Sequence, residues 1–403
     1  MKRPRPCTPP AERKVMMAEK SVAGAAQAPL AILLPRGEAF QSAGAGAVTI
    51  CVRDALAVSA LAPRIKVLGE AVSQPFAPAH FIGLKLASWL HGRRTNRYVQ
   101  GAIQALRELG PAYIEIHNRP VHVAAVRKAF PYVPILLYLH NDPRSMRGIR
   151  DKSQREQCLE QVSAVVCVSE FIRGCMLDGL EQHPCAAKVR VVMNGVDTAA
   201  IHPDPATPRR KQMLFAGRLI PEKGGLLFAQ AAQALKDRLK DWRFILVGAA
   251  RSFGKGTQMG GYDQQVIDTM QSLGEQGELT GYMPRTELMA RLQQAAIAVI
   301  PSLWDDPCPL SVIEAMASGC AVVASPRGGI PHLLDDAGLL IDSSDPAVWV
   351  EHLLRLAQDT GMQRHYQEKA RSRAAQHLDI HHTGARLDAI RMELMSGTKE
   401  GEL

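Results

Sequence analysis

Arg218 and Lys223 bracket a short loop, Gly217 to Gly225, that follows an apolar run and opens a helical segment. A helix start leaves backbone N–H groups unpaired and favours anions. Two cations beside such an end could hold a diphosphate and offset charge building on a leaving group. Two solvated cations in a strand–helix loop carry the same pattern, and composition by itself does not separate the readings. Further along, the chain from Pro301 to Gly319 reads as a strand end, a loop with Asp305, Asp306, Pro307 and Pro309, and a helix from about Val312 to Ser318. Ser311 and Glu314 have the S-x-x-E spacing of a capping box, a purely structural role. The functional role open to Glu314 is to accept hydrogen bonds from ribose hydroxyls, as acidic residues do in dinucleotide folds. Asp306 lies eight residues before Glu314, so both carboxylates can face one pocket.

The first half offers different chemistry. Ile114–His117 and Leu137–His140 are apolar runs that each end in histidine. A strand-end histidine is usually structural, but two at equivalent ends point to a site. Both His117 and His140 are therefore candidates for a place near a reaction centre. Gly44 and Gly46, in an Ala/Gly turn before a helical segment, could bring backbone N–H groups up to a phosphate. Flexible packing is the equal alternative.

These residues need a scaffold. Short continuous apolar runs recur at 30–34, 65–68, 113–117, 135–140, 164–168 and 189–192, then at 213–216, 243–247, 278–281, 297–301, 321–325 and 339–342. Runs of this type belong to parallel sheets buried on both faces, and the helical segments between them give doubly wound α/β layers. The expected organisation is a disordered basic lead (1–27), a first Rossmann-like domain (28–197), a Pro/Ala-rich linker (198–210), a second domain (211–360) and C-terminal helices (361–403) packing back across both. Met16 or Met17 could be the natural start. Ligands in such sheets bind beyond the carboxyl ends of strands, where all the residues named above fall.

Bulk properties narrow the classes. No run of ~18 apolar residues exists, so no transmembrane helix is expected. The eight cysteines form no CxxC pair, which fits reduced, buried thiols of a cytoplasmic protein. A net charge of +9 and a pI near 9.2 attract polyanions. No zinc-finger, RNA-recognition or basic-zipper pattern accompanies that charge, so nucleic acid is not an expected partner. Segment 85–109 mixes Trp89 and leucines with Arg93, Arg94 and Arg97. It could be a basic amphipathic face for peripheral contact with an anionic membrane or an ordinary helix packed on the first sheet.

Four ordered motifs together resemble the family-4 retaining glycosyltransferases of GT-B fold, the glycosyl transferases group 1: Asn194-Gly195-Val196-Asp197, Gly217-Arg218-Leu219 with Glu222-Lys223-Gly224, Asp306 with Glu314, and Gly328-Gly329-Ile330-Pro331. The resemblance implies two Rossmann-like domains facing a central cleft. It implies that Arg218 and Lys223 bind the diphosphate of a nucleotide sugar and Glu314 the ribose. Asp306 and the Cys308-Pro309-Leu310-Ser311 loop then face the sugar and phosphate. Gly217 and Gly248 are turns beside the nucleotide, Tyr282 and Met283 border its base, Ser169 lines the cleft, and His140 lies near the sugar. Asp306 stands where the family usually has Glu, and His332, read as a surface residue, where it usually has an acid. The implied activity is transfer of a hexosyl group to an acceptor hydroxyl of a carbohydrate or lipid-linked acceptor, with retention, in polysaccharide or lipopolysaccharide assembly. Arg and Lys supply the cations, so neither a metal nor another cofactor is expected. The rivals are a GT-B sugar-nucleotide epimerase, a phosphorylase-like enzyme, for which the chain is short, and a catalytically silent carbohydrate-binding protein.

Overall fold

Apolar runs without alternation build two sheets in this computed structural model, which describes residues 28–42, 44–84, 94–201, 209–249 and 261–396. The first holds β1 (Leu30–Leu33), β2 (Ile65–Glu70), β3 (Phe81–Leu84), β4 (Tyr113–His117), β5 (Ile135–Leu139), β6 (Ala164–Cys167) and β7 (Val189–Val191). The second holds β8 (Arg210–Ala216), β9 (Arg243–Val247), β10 (Gly277–Gly281), β11 (Ala295–Ile300), β12 (Ala321–Ala324) and β13 (Leu339–Leu340). Their orders are β3-β2-β1-β4-β5-β6-β7 and β10-β9-β8-β11-β12-β13, and the strands pair in parallel. Every residue of β4, β5, β6, β11 and β12 is buried, as helices on both faces require. Edge strand β3 is absent from the sequence reading. Its four residues sit among prolines and only Leu84 is buried, so no apolar run stands out.

The crossovers of the first sheet use α1 (Ala47–Val58), α2 (Arg94–Leu109), α3 (Val123–Ala129), α4 (Lys152–Gln161) and α5 (Glu170–Leu177). Those of the second use α6 (Gly225–Leu235), α7 (Gly261–Gln271), α8 (Arg285–Gln294), α9 (Leu310–Ala317) and α10 (Ile330–Leu334), and α11 (Pro346–Gln358), α12 (Thr360–His377) and α13 (Ile380–Ser396) follow. Residues 85–93, with Trp89 and Arg93, lie outside the described residues. The described part of that segment, α2, buries Tyr98, Val99, Ala102, Ile103 and Leu106 in the first domain's core.

The last two helices, α12 and α13, are separated by a break at Leu378–Asp379. There Val196 N donates to Leu378 O (3.0 Å) and Ile380 N to Val196 O (2.9 Å), so the end of the first domain pairs with the break. Helix α12 stays on the second domain, where Arg371 donates to Ala317 O at 2.6 Å. Helix α13 returns to the first, where Asp388 accepts from Ser59 Oγ and Ala60 N at 2.8 Å each. Strand order reverses between β1 and β4 and between β8 and β11. Ligands of open α/β sheets bind beyond the carboxyl ends at such points, and the loops after these four strands carry most of the residues singled out above.

Candidate active site

Beyond β8 the chain turns through Gly217–Ile220 and one helical turn, Pro221–Lys223, into α6. Gly224 has φ +74°, and a Cβ there would lie 1.9 Å from Pro301 O at the end of β11. A side chain fits neither the backbone angle nor the space. Gly224→Ala is expected to lower stability by at least ~2 kcal/mol through left-handed strain and steric clash, read by urea unfolding. Leu303 N donates to Glu222 O at 2.9 Å, fastening this loop to the one after β11.

Across that seam the Lys223 ammonium pairs with the buried Asp306 carboxylate and lies 5.5 Å over the Trp304 ring. Arg218 is exposed and has no ion-pair partner among the described residues. Gly248 N donates to Gly281 O at 2.9 Å, and its backbone lies against the Gly217 carbonyl. Gly328 N donates to Asp305 Oδ1 (3.0 Å) and Gly329 N to Asp306 O (2.8 Å). The Gly328–Pro331 turn therefore supports the acid loop from below. A Cβ on Gly329 would lie 2.0 Å from Pro307 O and 3.0 Å from Ser169 Cβ. Ser169 belongs to the first domain, where it caps α5 by accepting from Ile172 N (3.3 Å). The two domains touch here.

The expected Ser311–Glu314 capping box is not formed. Helix α9 starts at Leu310, two residues earlier than the box needs, with Pro309 at its cap and no side-chain cap bond. A capping serine needs extended backbone, and Ser311 is already helical. Glu314 instead points to α8, where Arg285 Nε donates to its Oε1 at 2.6 Å. Burial raises the Glu314 pKa, and the Arg285 charge opposes that rise. Arg285 Nη1 also donates to Asp54 Oδ2 of α1 at 3.0 Å, so it bridges the domains. Sequence reasoning missed Arg285 and Asp54. The one available signal for Arg285 was its place two residues after Met283. Tyr282 is 60% exposed and Met283 half-buried.

Asn194 forms a second bridge. Its Nδ2 donates to Cys308 O (3.0 Å), and its Oδ1 accepts from Cys51 Sγ (3.3 Å). Burial pushes the Cys308 thiol up to about 12, so it stays protonated at neutral pH. Cys308 and Pro309 are buried, and Leu310 and Ser311 are half-buried at the α9 start, where the first amides have no helical acceptor.

In the first domain both histidines are buried and bonded to each other, His117 Nδ1 to His140 Nε2, at 2.9 Å. His117 Nε2 reaches Glu115 Oε1 at 2.7 Å, and Glu115 is paired with Arg391 of α13 at 3.0 Å. Glu115 and Arg391 were both absent from the sequence reading. Gly44 has φ +75°, and Gly46 caps α1. The space over that helix start holds the protein's own anion. A Cβ at Gly46 would lie 2.5 Å from the Glu38 carboxylate oxygens, which accept from Thr49 Oγ1 at 2.7 Å. A phosphate at this turn would have to displace Glu38. Among the described residues no helix is long and apolar enough to cross a membrane.

Comparison with known proteins agrees with this architecture. The model for "Glycosyl transferases group 1" matches residues 197–373 and that for "Glycosyltransferase Family 4" residues 56–200. The Bacillus subtilis protein YtcC is 24% identical over 324 residues, 75% of this chain and 77% of that one. The lipopolysaccharide 1,2-N-acetylglucosaminetransferase of Salmonella typhimurium is 25% identical over 232 residues, 55% of this chain and 57% of its own. Among solved structures, sucrose-phosphate synthase from Thermosynechococcus elongatus superposes with a TM-score of 0.72 at 18% identity, covering 92% of this chain and 100% of that one. Anabaena HepE in complex with UDP and glucose gives 0.68 at 17% identity, covering 90% and 99%. At such identities the structural likeness carries the fold, two parallel-sheet domains of GT-B type.

Proposed function

This chain belongs to the glycosyl transferases group 1, and from that premise we propose that it moves a hexosyl group from a nucleotide diphosphate sugar to an acceptor hydroxyl, with retention, in cell-surface polysaccharide or lipopolysaccharide assembly. The observation that carries the reading is the Lys223–Asp306 pair, which joins the loops after β8 and β11 at the strand-order reversal.

In this reading Lys223, Arg218 and the first amides of α9, at Leu310 and Ser311, hold the diphosphate. An incoming diphosphate takes over the Lys223 charge, and Asp306 is released to accept hydrogen bonds from sugar hydroxyls. The ribose meets Glu314 and competes with Arg285 for it. Tyr282 and Met283 border the base, and Gly217 and Gly248 let the nucleotide approach the backbone. His140 sits closest to the anomeric carbon. As the C1–O bond to the diphosphate breaks, the acceptor oxygen bonds to C1 from the same face, and a phosphate oxygen takes the acceptor proton. The cationic side chains balance the leaving charge, so no divalent metal is required. The reaction belongs on the cytoplasmic face, where nucleotide sugars meet a carbohydrate or lipid-linked acceptor.

The test is a thermal-shift panel of nucleotide sugars, started with UDP-glucose because a structural neighbour holds UDP and glucose. A bound donor at ~100 times its Kd adds roughly 2.7 kcal/mol of stability. Donor turnover with added saccharide acceptors follows. Turnover to an epimer without acceptor would identify an epimerase, and binding without turnover a silent carbohydrate-binding protein. Glu314→Gln should fold and raise the donor KM by roughly 10-fold, since a hydrogen bond to a charged group is worth ~1.5–3 kcal/mol. An unchanged KM would remove Glu314 from the ribose.

A further inference from the structure

We propose that Glu115 and His117 are positioning residues that fix which ring nitrogen of His140 carries the proton, so that His140 accepts, rather than donates, a hydrogen bond from a sugar hydroxyl. The proposal rests on the reading of His140 as the residue nearest the reaction centre. It adds two residues and a hydrogen-bond direction to that reading.

The argument runs outward from Arg391. Its Nε donates to Glu115 Oε2 at 3.0 Å and its Nη2 to Oε1 at 3.1 Å, while Tyr113 Oη donates to Oε2 at 2.9 Å. Burial would raise Glu115, but the Arg391 charge and the His117 bond outweigh it and hold the carboxyl below the usual range. An ionised carboxylate only accepts. His117 Nε2, 2.7 Å from Oε1, therefore carries a proton. In the proposed arrangement His117 carries that single N–H, so its Nδ1 accepts from His140 Nε2 at 2.9 Å. His140 is left with a bare Nδ1, which has no hydrogen-bond partner among the described residues. A bare ring nitrogen can accept from a hydroxyl.

Three features hold the His140 backbone and ring plane in place. The Tyr138 ring stacks 4.9 Å from His117 and 4.5 Å from His140, with interplanar angles of 14° and 12°. The His140 backbone N donates to Asn118 Oδ1 at 2.8 Å. Asn118 itself is held at φ +48°, uncommon for a non-glycine residue, at the end of β4. Burial holds His140 well below the usual histidine range, so the ring stays neutral.

The experiment is a long-range proton–nitrogen spectrum of the uniformly nitrogen-15-labelled full chain at neutral pH. The expected result is a protonated Nε2 and a bare Nδ1 on His140. In Glu115→Gln the amide can donate to His117 Nε2, which reverses both rings and puts the His140 proton on Nδ1. The turnover number for the nucleotide sugar that gives the largest thermal shift should then fall by roughly 10-fold or more, one hydrogen bond's worth, while calorimetric affinity for UDP stays within about two-fold by the same measure. His117→Phe keeps the stacked ring and removes both nitrogens. It serves where Glu115→Gln fails to fold, and should give mixed His140 tautomers with a similar fall in turnover. Wild-type His140 protonated on Nδ1, or variants with unchanged tautomer and turnover, would overturn the proposal. His140→Ala separates the premise from the proposal. Wild-type turnover there removes His140 from the reaction centre, and the tautomer spectra still judge the relay.

Discussion

Lys223→Ala is expected to lower donor turnover by at least ~100-fold in a protein that still folds, because the lost contact is charge-assisted and strengthens as the diphosphate leaves. The structure adds a second cost. Asp306 is 6% exposed, and Lys223 is its counter-ion. Without the lysine, a buried carboxylate faces the incoming diphosphate and repels it. Asp306→Asn tests the other half of the pair. It removes the sugar contact and frees Lys223, so transfer should fall strongly, by as much as the ~100-fold that a positioning error of ~1 Å can cause. Affinity for bare UDP should hold or improve, since Arg218, Lys223 and Glu314 remain. Calorimetry with UDP beside the transfer rate separates the two variants. Unchanged kinetics in folded Lys223→Ala would sink the diphosphate grip. Full transfer by Asp306→Asn would remove this acid from the site.

Arg391→Met is expected to cost about 3–5 kcal/mol of stability at neutral pH, the usual penalty for leaving one member of a buried ion pair uncompensated. Arg391 is 2% and Glu115 0% exposed, so water cannot replace the missing charge. The pH dependence has a definite sign. With Arg391 present, Glu115 is held below its unfolded value. Its contribution is therefore present above the ordinary carboxylate range and is lost as pH falls through the depressed value. In Arg391→Met, burial wins and lifts Glu115 above its unfolded value. The penalty is then largest at neutral pH and shrinks as pH falls toward about 4, where the carboxyl becomes neutral in both states. Denaturant unfolding of both proteins at several pH values reads this directly. A loss that is small and the same at every pH would mean that Glu115 finds another partner. The double change Arg391→Met with Glu115→Gln should recover part of the loss, because it removes the uncompensated charge while the amide oxygen still accepts from Tyr113 Oη.

The residue order by itself determined what depends on neighbours in the chain. Twelve strands were legible as apolar runs, and the inner ones, such as β4, β5, β6, β11 and β12, stand out because burial on two sides leaves no room for polar alternation. The loops that follow those strands carry Arg218, Lys223, Asp306 and His140, and four ordered motifs identified the family. The edge strand Phe81–Leu84 escaped because it is short and half-covered. The Ser311–Glu314 spacing misled because a four-residue pattern does not say where a helix begins, and the helix starts at Leu310.

Tertiary structure alone decided the partners. Lys223 and Asp306 are 83 residues apart, Arg285 and Asp54 are 231, and Glu115 and Arg391 are 276. Backbone periodicity and turn chemistry act over a few residues, whereas a charge pair forms wherever packing removes two groups from water together. The parallel sheets place distant loops at one edge, and the break at Leu378–Asp379 sends the last helix back to the first domain. That return puts a guanidinium beneath Glu115, and with it the hydrogen-bond chain that ends at His140.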